Sequence, residues 1–297
     1  NNSEILDNIV LIKAGLKAYE KDKGEPKQTE EDVVKRPYDY NYKFDKDTYK
    51  YLEGKDVGRY NKTWSGSYLR YGKHLAAPRT FNIFAGKKII LREITGKPPK
   101  CLIATYTDEI YLFNMSNIAL VEKLDSMVDL KYILVILNSR LLSYYYSKNT
   151  AKSIRKLFPK IILNDLRKFP IKKITLSTQL PFIERGDSML LLNSNLLEQI
   201  QKFTRIIQRK FELPGVSKKL NDWHLLSFAE LVKELTKMKI KLSLSEEAEW
   251  EEYFNAERKK ALDIITEIES TDKEIDQMVY KLYELTEEEI RIVESSN

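Results

Sequence analysis

A chain of 297 residues, 42% hydrophobic and 32% charged, with 10 Gly and 9 Pro, is long enough to bury a real core and, at about 150 residues per domain, predicts two domains. It has no apolar run near the roughly 18 residues of a membrane span and no signal-peptide order at its start, so a cytoplasmic address without membrane association is expected. One cysteine, Cys101, and two histidines exclude a disulfide framework and the usual zinc ligand set, and the missing initiator Met points to a piece of a longer polypeptide.

Apolar residues at Ile5, Ile9, Ile12, Leu16 and Tyr19 recur every three to four positions, which predicts an amphipathic helix over residues 3–20, ended by Gly24 and Pro26. Residues 25–47 are polar and broken by Pro26 and Pro37, so irregular structure is expected there, with Tyr38, Tyr40 and Tyr42 alternating near its end. A strand-rich block follows at 49–57, 81–84, 88–94, 101–106 and 110–113, punctuated by glycines and by Pro98-Pro99. Asp129 is placed to cap a helix running to about Ser147. Residues 160–163 read as a short strand, and Phe169-Pro170-Ile171 closes the body. From about Ser188 onward only helices are expected, at 190–212, 223–239 and 246–283, the last with a seam of Ile264, Ile265, Ile268, Ile275, Met278, Val279 and Leu282.

Charge is unevenly distributed along the chain. Residues 243–297 hold 17 acidic and 6 basic side chains, net −11, which leaves +17 in residues 1–242 of a chain whose total is +6. A basic body with an acidic appendage is the pattern of a nucleic-acid-binding protein. The densest stretch, 140–173, carries ten basic residues against Asp165 alone, interleaved with Tyr144, Tyr145, Tyr146 and Phe158. Lys148, Lys152, Arg155, Lys156 and Lys160 are the candidate phosphate contacts. Arg59, Tyr60, Arg70, Tyr71, Lys73, Arg79 and Arg92, at strand ends and turns, are the candidate base readers, because Arg forks onto guanine and Tyr hydroxyls reach phosphates.

Catalytic patterns are weak. There is no glycine-rich cofactor loop and no Asn/Asp-Pro-Pro-aromatic motif of an amino-methyltransferase; Lys97-Pro98-Pro99-Lys100 reads as a turn. His74, His224 and Cys101 read as structural residues. Asp39 or Asp45 followed by Glu53-Gly54-Lys55 matches a metal-dependent nuclease pattern literally, and it is kept as an alternative beside a protein-interaction module built on the acidic helices. Glu53 itself reads as part of a structural turn before Asp56-Val57-Gly58.

The strings Gly15-Leu16-Lys17-Ala18-Tyr19, Lys23-Gly24-Glu25-Pro26-Lys27-Gln28-Thr29 and Tyr51-Leu52-Glu53-Gly54-Lys55-Asp56-Val57-Gly58-Arg59-Tyr60 resemble the segment that follows the methylase domain in type IIG restriction-modification enzymes. The stretches 71–79, 88–94, 137–144 and 169–171 resemble the TaqI-like C-terminal specificity domain, which is related to type I specificity subunits, and 274–290 is similar to the close of many such enzymes. The resemblance implies a mixed α/β (α+β) target recognition domain over 1–180, a curved sheet with flanking helices, followed by an all-helical region over 181–297. It implies sequence-specific recognition of double-stranded DNA without catalysis or a cofactor in this chain. The parent would be a DNA adenine N6-methyltransferase with or without endonuclease activity. Its methyltransferase domain would be the protein partner and would use S-adenosylmethionine, with magnesium where the parent also cuts.

Overall fold

The computed structural model describes residues 2–123, 126–149 and 159–296, and Lys152, Arg155, Lys156 and Phe158 lie outside the described residues. The described chain divides into two compact units: residues 1–190 with 274–297, and residues 191–273.

The first unit is mixed α/β and is built on two four-stranded sheets. In one, Asn117–Glu122 lies between Val10–Ala14 and Lys88–Arg92, and Lys88–Arg92 also pairs with Ala104–Thr107, every pair antiparallel. The middle strands read as unbroken apolar runs because both faces are covered: Ile89, Ile90, Leu91, Ala119 and Leu120 are wholly buried. In the other, Thr48–Leu52 pairs with Leu112–Phe113 in parallel and with Tyr68–Arg70 antiparallel, and Asp39–Tyr40 forms the far edge. Leu16, Leu52, Leu69, Phe84 and Phe113 join the core beneath them.

Several elements depart from the sequence expectation. The helix expected over 3–20 is instead a strand Ser3–Ile5, one turn Leu6–Ile9 and a strand Val10–Ala14. The run Val10-Leu11-Ile12 has two β-branched residues, Val10 and Ile12, and finds a partner strand in Asn117–Glu122, itself not expected from sequence, so ladder bonds prevail over a fortuitous helical spacing. Residues 25–47 are less irregular than expected: Thr29 and Asp32 form a reciprocal capping box that starts the helix Glu30–Lys35. Phe81–Ile83 is a 3-10 turn rather than a strand, and only Lys160, bridging Ile94, survives of the strand expected at 160–163.

Asp129 caps the helix Leu130–Asn138 as expected, its carboxylate accepting the Lys131 N–H at 2.6 Å. That helix stops at Ser139, whose extended backbone and hydroxyl restart a second helix, Arg140–Asn149, by accepting the Leu142 N–H at 3.2 Å. Asn138 is fully buried and clamps Ala104, its carboxamide accepting the Ala104 N–H and donating to the Ala104 carbonyl, both at 3.0 Å.

The regular structure of the second unit is helical: residues 191–210 of the helix Leu176–Lys210, the helices Lys218–Asn221 and Phe228–Lys237, and residues 244–273 of the helix Leu244–Leu282. Its centre is aromatic: Trp223 stacks on Phe203 at 4.0 Å, Phe254 packs on both, and the Trp223 indole N–H donates to the Ile200 carbonyl at 3.1 Å. Among the described residues, no helix is long and apolar enough to cross a membrane.

Candidate nucleic-acid interface

An open groove runs over the first unit through three adjoining cavities of about 370, 230 and 300 Å³. Tyr40, Asn41, Tyr42 and Tyr68 line one end; Arg36, Tyr51 and Glu53 stand in the middle; Asn114, Ser116, Lys55 and Arg92 line the other end.

Close backbone approach shapes its walls. A Cβ on Gly15 would lie 2.2 Å from the Asn114 carbonyl oxygen, so only glycine lets the chain pass there. A Cβ on Gly54 would meet the Ser116 Cβ at 3.0 Å. The turn Gly54–Asp56 is closed by Asp56, which is 6% exposed and whose carboxylate accepts the Glu53 N–H at 2.7 Å. Burial pushes the Asp56 carboxyl up, opposed by that hydrogen bond. Glu53 thus belongs to a structural turn, with its carboxylate 2.8 Å from the Lys55 ammonium.

Hydrogen-bonding capacity along the groove is spent unevenly. Arg36 is bound by Asp39 at 2.6 Å and lies 4.8 Å over the Tyr19 ring. Tyr51, 5% exposed, forms floor, and burial raises its hydroxyl pKa. Arg92, half-buried at the end of its strand, has no side-chain partner among the described residues. The Asn114 side-chain Oδ1 accepts the Ser116 N–H at 3.1 Å, and its Nδ2 has no hydrogen-bond partner among the described residues. An arginine and an asparagine with capacity to spare are the side chains that fork onto guanine and adenine edges.

Of the other expected base readers, Tyr60 is a correction: it turns a tight hairpin at φ +57° and is 1% exposed, so its ring is core and cannot reach a base. Arg59 donates to the Asn138 carbonyl at 2.9 Å and serves to anchor that hairpin. Arg70 is held by Asp45 at 2.7 Å, and the Tyr71 hydroxyl donates to the Arg79 carbonyl at 2.7 Å. Arg79, at φ +65°, donates to the Gly15 carbonyl at 3.2 Å. Lys73 is exposed, 3.9 Å from an equally exposed Glu25.

Among the described residues of the basic stretch, most cations are also paired. Arg140 donates to the Val293 carbonyl at 3.3 Å and to the Glu294 carbonyl, at the negative end of the helix Glu287–Ser295, while its own N–H donates to Asp276 at 2.9 Å. Arg167, Lys172 and Lys173 meet Asp7, Glu284 and Glu4 at 3.4, 3.7 and 3.5 Å. Lys160 sits 3.2 Å from Glu93, on the segment paired beside Arg92 and Ile94. Lys148 and Lys168 are exposed and have no carboxylate partner among the described residues.

The carboxylates of the nuclease alternative are each engaged separately: Asp39 with Arg36 and the Tyr19 hydroxyl, Asp45 with Arg70 and Thr48. Among the described residues, no three His, Cys, Asp or Glu side chains gather as a metal site. A cavity of about 690 Å³ elsewhere in the first unit is lined by Asn2, Glu4, Met127, Lys173 and Thr175.

Sequence signals for the groove existed in part. Arg92 was legible at a strand end; Asn114 and Ser116, in a short turn between strands, had no distinguishing pattern.

Residues 49–171 match the TaqI-like C-terminal specificity domain family, and residues 175–279 match a domain of unknown function. The first match includes the strings at 51–60, 71–79, 88–94, 137–144 and 169–171, whereas those at 15–19, 23–29 and 274–290 fall outside it. A protein of Methanocaldococcus jannaschii named as a type II restriction enzyme and methyltransferase is 32% identical over 123 residues, 41% of this chain and 10% of the relative, so the match spans about a tenth of that relative's length. Among solved structures, the S subunit of a type I restriction-modification system from M. genitalium superposes with a TM-score of 0.37 at 15% identity, over 80% of this chain and 48% of that one. The type IIL restriction-modification enzyme MmeI, solved in complex with DNA, gives a TM-score of 0.44 at 8% identity, over 92% of this chain and 36% of that one.

Proposed function

We propose that the first unit, which carries the TaqI-like specificity segment, recognises a short sequence of double-stranded DNA and presents it to catalytic domains of a longer restriction-modification protein. The observation that carries this reading is the groove: an open channel whose Arg92, Asn114 and Ser116 retain hydrogen-bonding capacity, beside Lys55 and Lys160. Arg92 and Asn114 read base edges, and the lysines at the rim neutralise phosphates and set register. Lys148 and Lys168 add phosphate contacts. Surface pairs such as Lys160–Glu93 are worth little in water and exchange readily for a phosphate partner.

Adenine N6-methylation, with or without cleavage, belongs to the parent protein, whose methyltransferase domain holds S-adenosylmethionine. This chain contributes specificity and no chemistry of its own.

The test is selection of duplexes from a randomised pool by the 297-residue chain at low salt, followed by the same selection with Arg92→Ala and with Asn114→Ala. The expected result is one enriched motif, degenerate at a different position in each variant, with salt-dependent binding to random duplex retained. Failure of the chain to bind any duplex at 50 mM salt overturns the reading and favours a protein-interaction role.

A further inference from the structure

Tyr40, Tyr42 and Phe44 gather at the end of the groove opposite Arg92. Tyr40 and Phe44 stack with centroids 4.7 Å apart and planes 11° from parallel, and Tyr42 meets both edge-on, at 5.9 and 6.3 Å. Tyr42 remains 55% and Phe44 50% exposed, although rings of this size usually find a core. The loop that carries them is held firmly. Asp45 accepts the Thr48 hydroxyl at 2.7 Å and the Asp47 N–H at 3.0 Å, and its carboxylate fixes Arg70, whose guanidinium lies 5.9 Å over the Phe44 ring.

The composition of this loop distinguishes its partner. Residues 35–51 contain no Leu, Ile, Val or Met; the rings alternate with Asn41, Lys43 and Lys46, all exposed. Surfaces that dock proteins mix aromatic with aliphatic side chains and are depleted in lysine. Flat rings separated by lysines suit nucleobases and their phosphates, because every base offers a π-face and every ring can stack on it. Tyr40 and Tyr42 also line the groove itself, so the exposed rings continue the surface assigned above to base reading.

We propose that Tyr42 and Phe44 form a wedge that enters the base stack of bound duplex DNA, with Tyr40 as the backing ring and Lys43 and Lys46 on the flanking phosphates. This inference rests on the DNA-recognition reading and adds local unstacking of one base step to it. The wedge would fix the register in which Arg92 and Asn114 meet their base pairs.

The test uses a duplex selected from a random pool by the 297-residue chain, prepared with 2-aminopurine at each position in turn. Binding of the unmodified protein is expected to change 2-aminopurine fluorescence at one step and leave distant positions unaffected. Tyr42→Ala and Phe44→Ala are expected to abolish that change and to weaken binding to the selected duplex by about 5- to 150-fold each. Tyr42→Trp, which keeps a stacking ring, is expected to preserve the change and to show quenching of its own indole emission on binding. A protein that binds the selected duplex with no change at any position, or alanine variants that reproduce the wild-type change, overturn the wedge while leaving recognition intact. A protein that binds no duplex at all overturns the wedge together with the recognition reading.

Discussion

Two regions of the first unit compete for the DNA-binding role, and they differ in what surrounds their cations. The stretch 140–173 has the highest linear density of Lys and Arg in the chain, yet Arg140 is taken up by helix-end carbonyls and Arg167, Lys172 and Lys173 by carboxylates brought from Asp7, Glu284 and Glu4. The groove holds fewer cations, but Arg92 and Asn114 enter it with bonds still to make. Charge density along a sequence counts side chains and takes no account of their partners. Specific binding depends on the groups that remain unsatisfied until DNA arrives.

The largest expected effect tests the groove. Arg92→Ala combined with Asn114→Ala should reduce affinity for the selected duplex by about 30-fold or more, since each bidentate base contact is worth about 1–3 kcal/mol. Affinity for random duplex should fall only several-fold. Equal losses on both duplexes, measured by fluorescence anisotropy, would mean that these residues serve affinity alone.

Arg140→Met tests the contrary assignment for the basic stretch. Removing a charged donor from the half-buried Val293 carbonyl contact and the exposed Glu294 one should lower stability by about 1.5–3 kcal/mol in denaturant melts. The slope of log K against log salt should stay unchanged; a slope shallower by about 0.9 would make Arg140 a phosphate contact.

Lys88 sharpens the same distinction, because it is a cation consumed entirely by the core. It is wholly buried, donates to the Gly86 and Glu109 carbonyls at 2.9 and 2.6 Å, and its pKa is pushed down to about 8 by burial. An unfolded lysine titrates near 10.4, so between about pH 8 and 10 the unfolded chain holds a proton that the folded chain has released, and this group makes stability rise with pH by up to roughly 1.4 kcal/mol per pH unit. Below pH 8 its contribution levels off. Lys88→Met should flatten the rise measured by chemical denaturation between about pH 8 and 9, where few tyrosines of the unfolded chain, with a pKa of about 10, have ionised.

The smallest effect belongs to Lys148 and Lys168. Each alanine substitution should leave stability within about 0.5 kcal/mol and reduce the salt slope by about 0.9 if the side chain neutralises one phosphate. An unchanged slope for both would turn that surface away from DNA.

Local signals were the most legible part of the fold. Asp129 as a cap, the strands at 48–52, 88–92 and 104–107, and the helical character of the C-terminal region all follow from spacing and propensity within a few neighbouring residues. The misreading of 3–20 has a physical cause: Ile5, Ile9, Ile12 and Leu16 fit a helix by spacing alone, and only the presence of Asn117–Glu122, more than 100 residues later, decides for a strand. Among the candidate site residues, Arg92 stands at the strand end where its sequence context places it, whereas Tyr60 looks like a base reader in sequence and is core. Its position beside Arg59 at a turn says nothing about which way the ring points, and Ala104 and Asn138 settle that by fixing the hairpin.

By itself the amino-acid sequence determined the class of this protein: a mixed α/β body, a helical continuation, an uneven charge and strings shared with restriction-modification specificity domains, because each is written in composition or in short-range pattern. Only the tertiary structure decided which charges are free. That outcome depends on partners far apart in the chain, such as Arg140 with Val293 and Glu294, Lys172 with Glu284, and Gly15 against Asn114, whose pairing arises when the sheets close and residues 274–297 return to the first unit. A side chain's availability for DNA is a property of the hydrogen bonds left over after folding, and those bonds are made between residues that no local pattern connects.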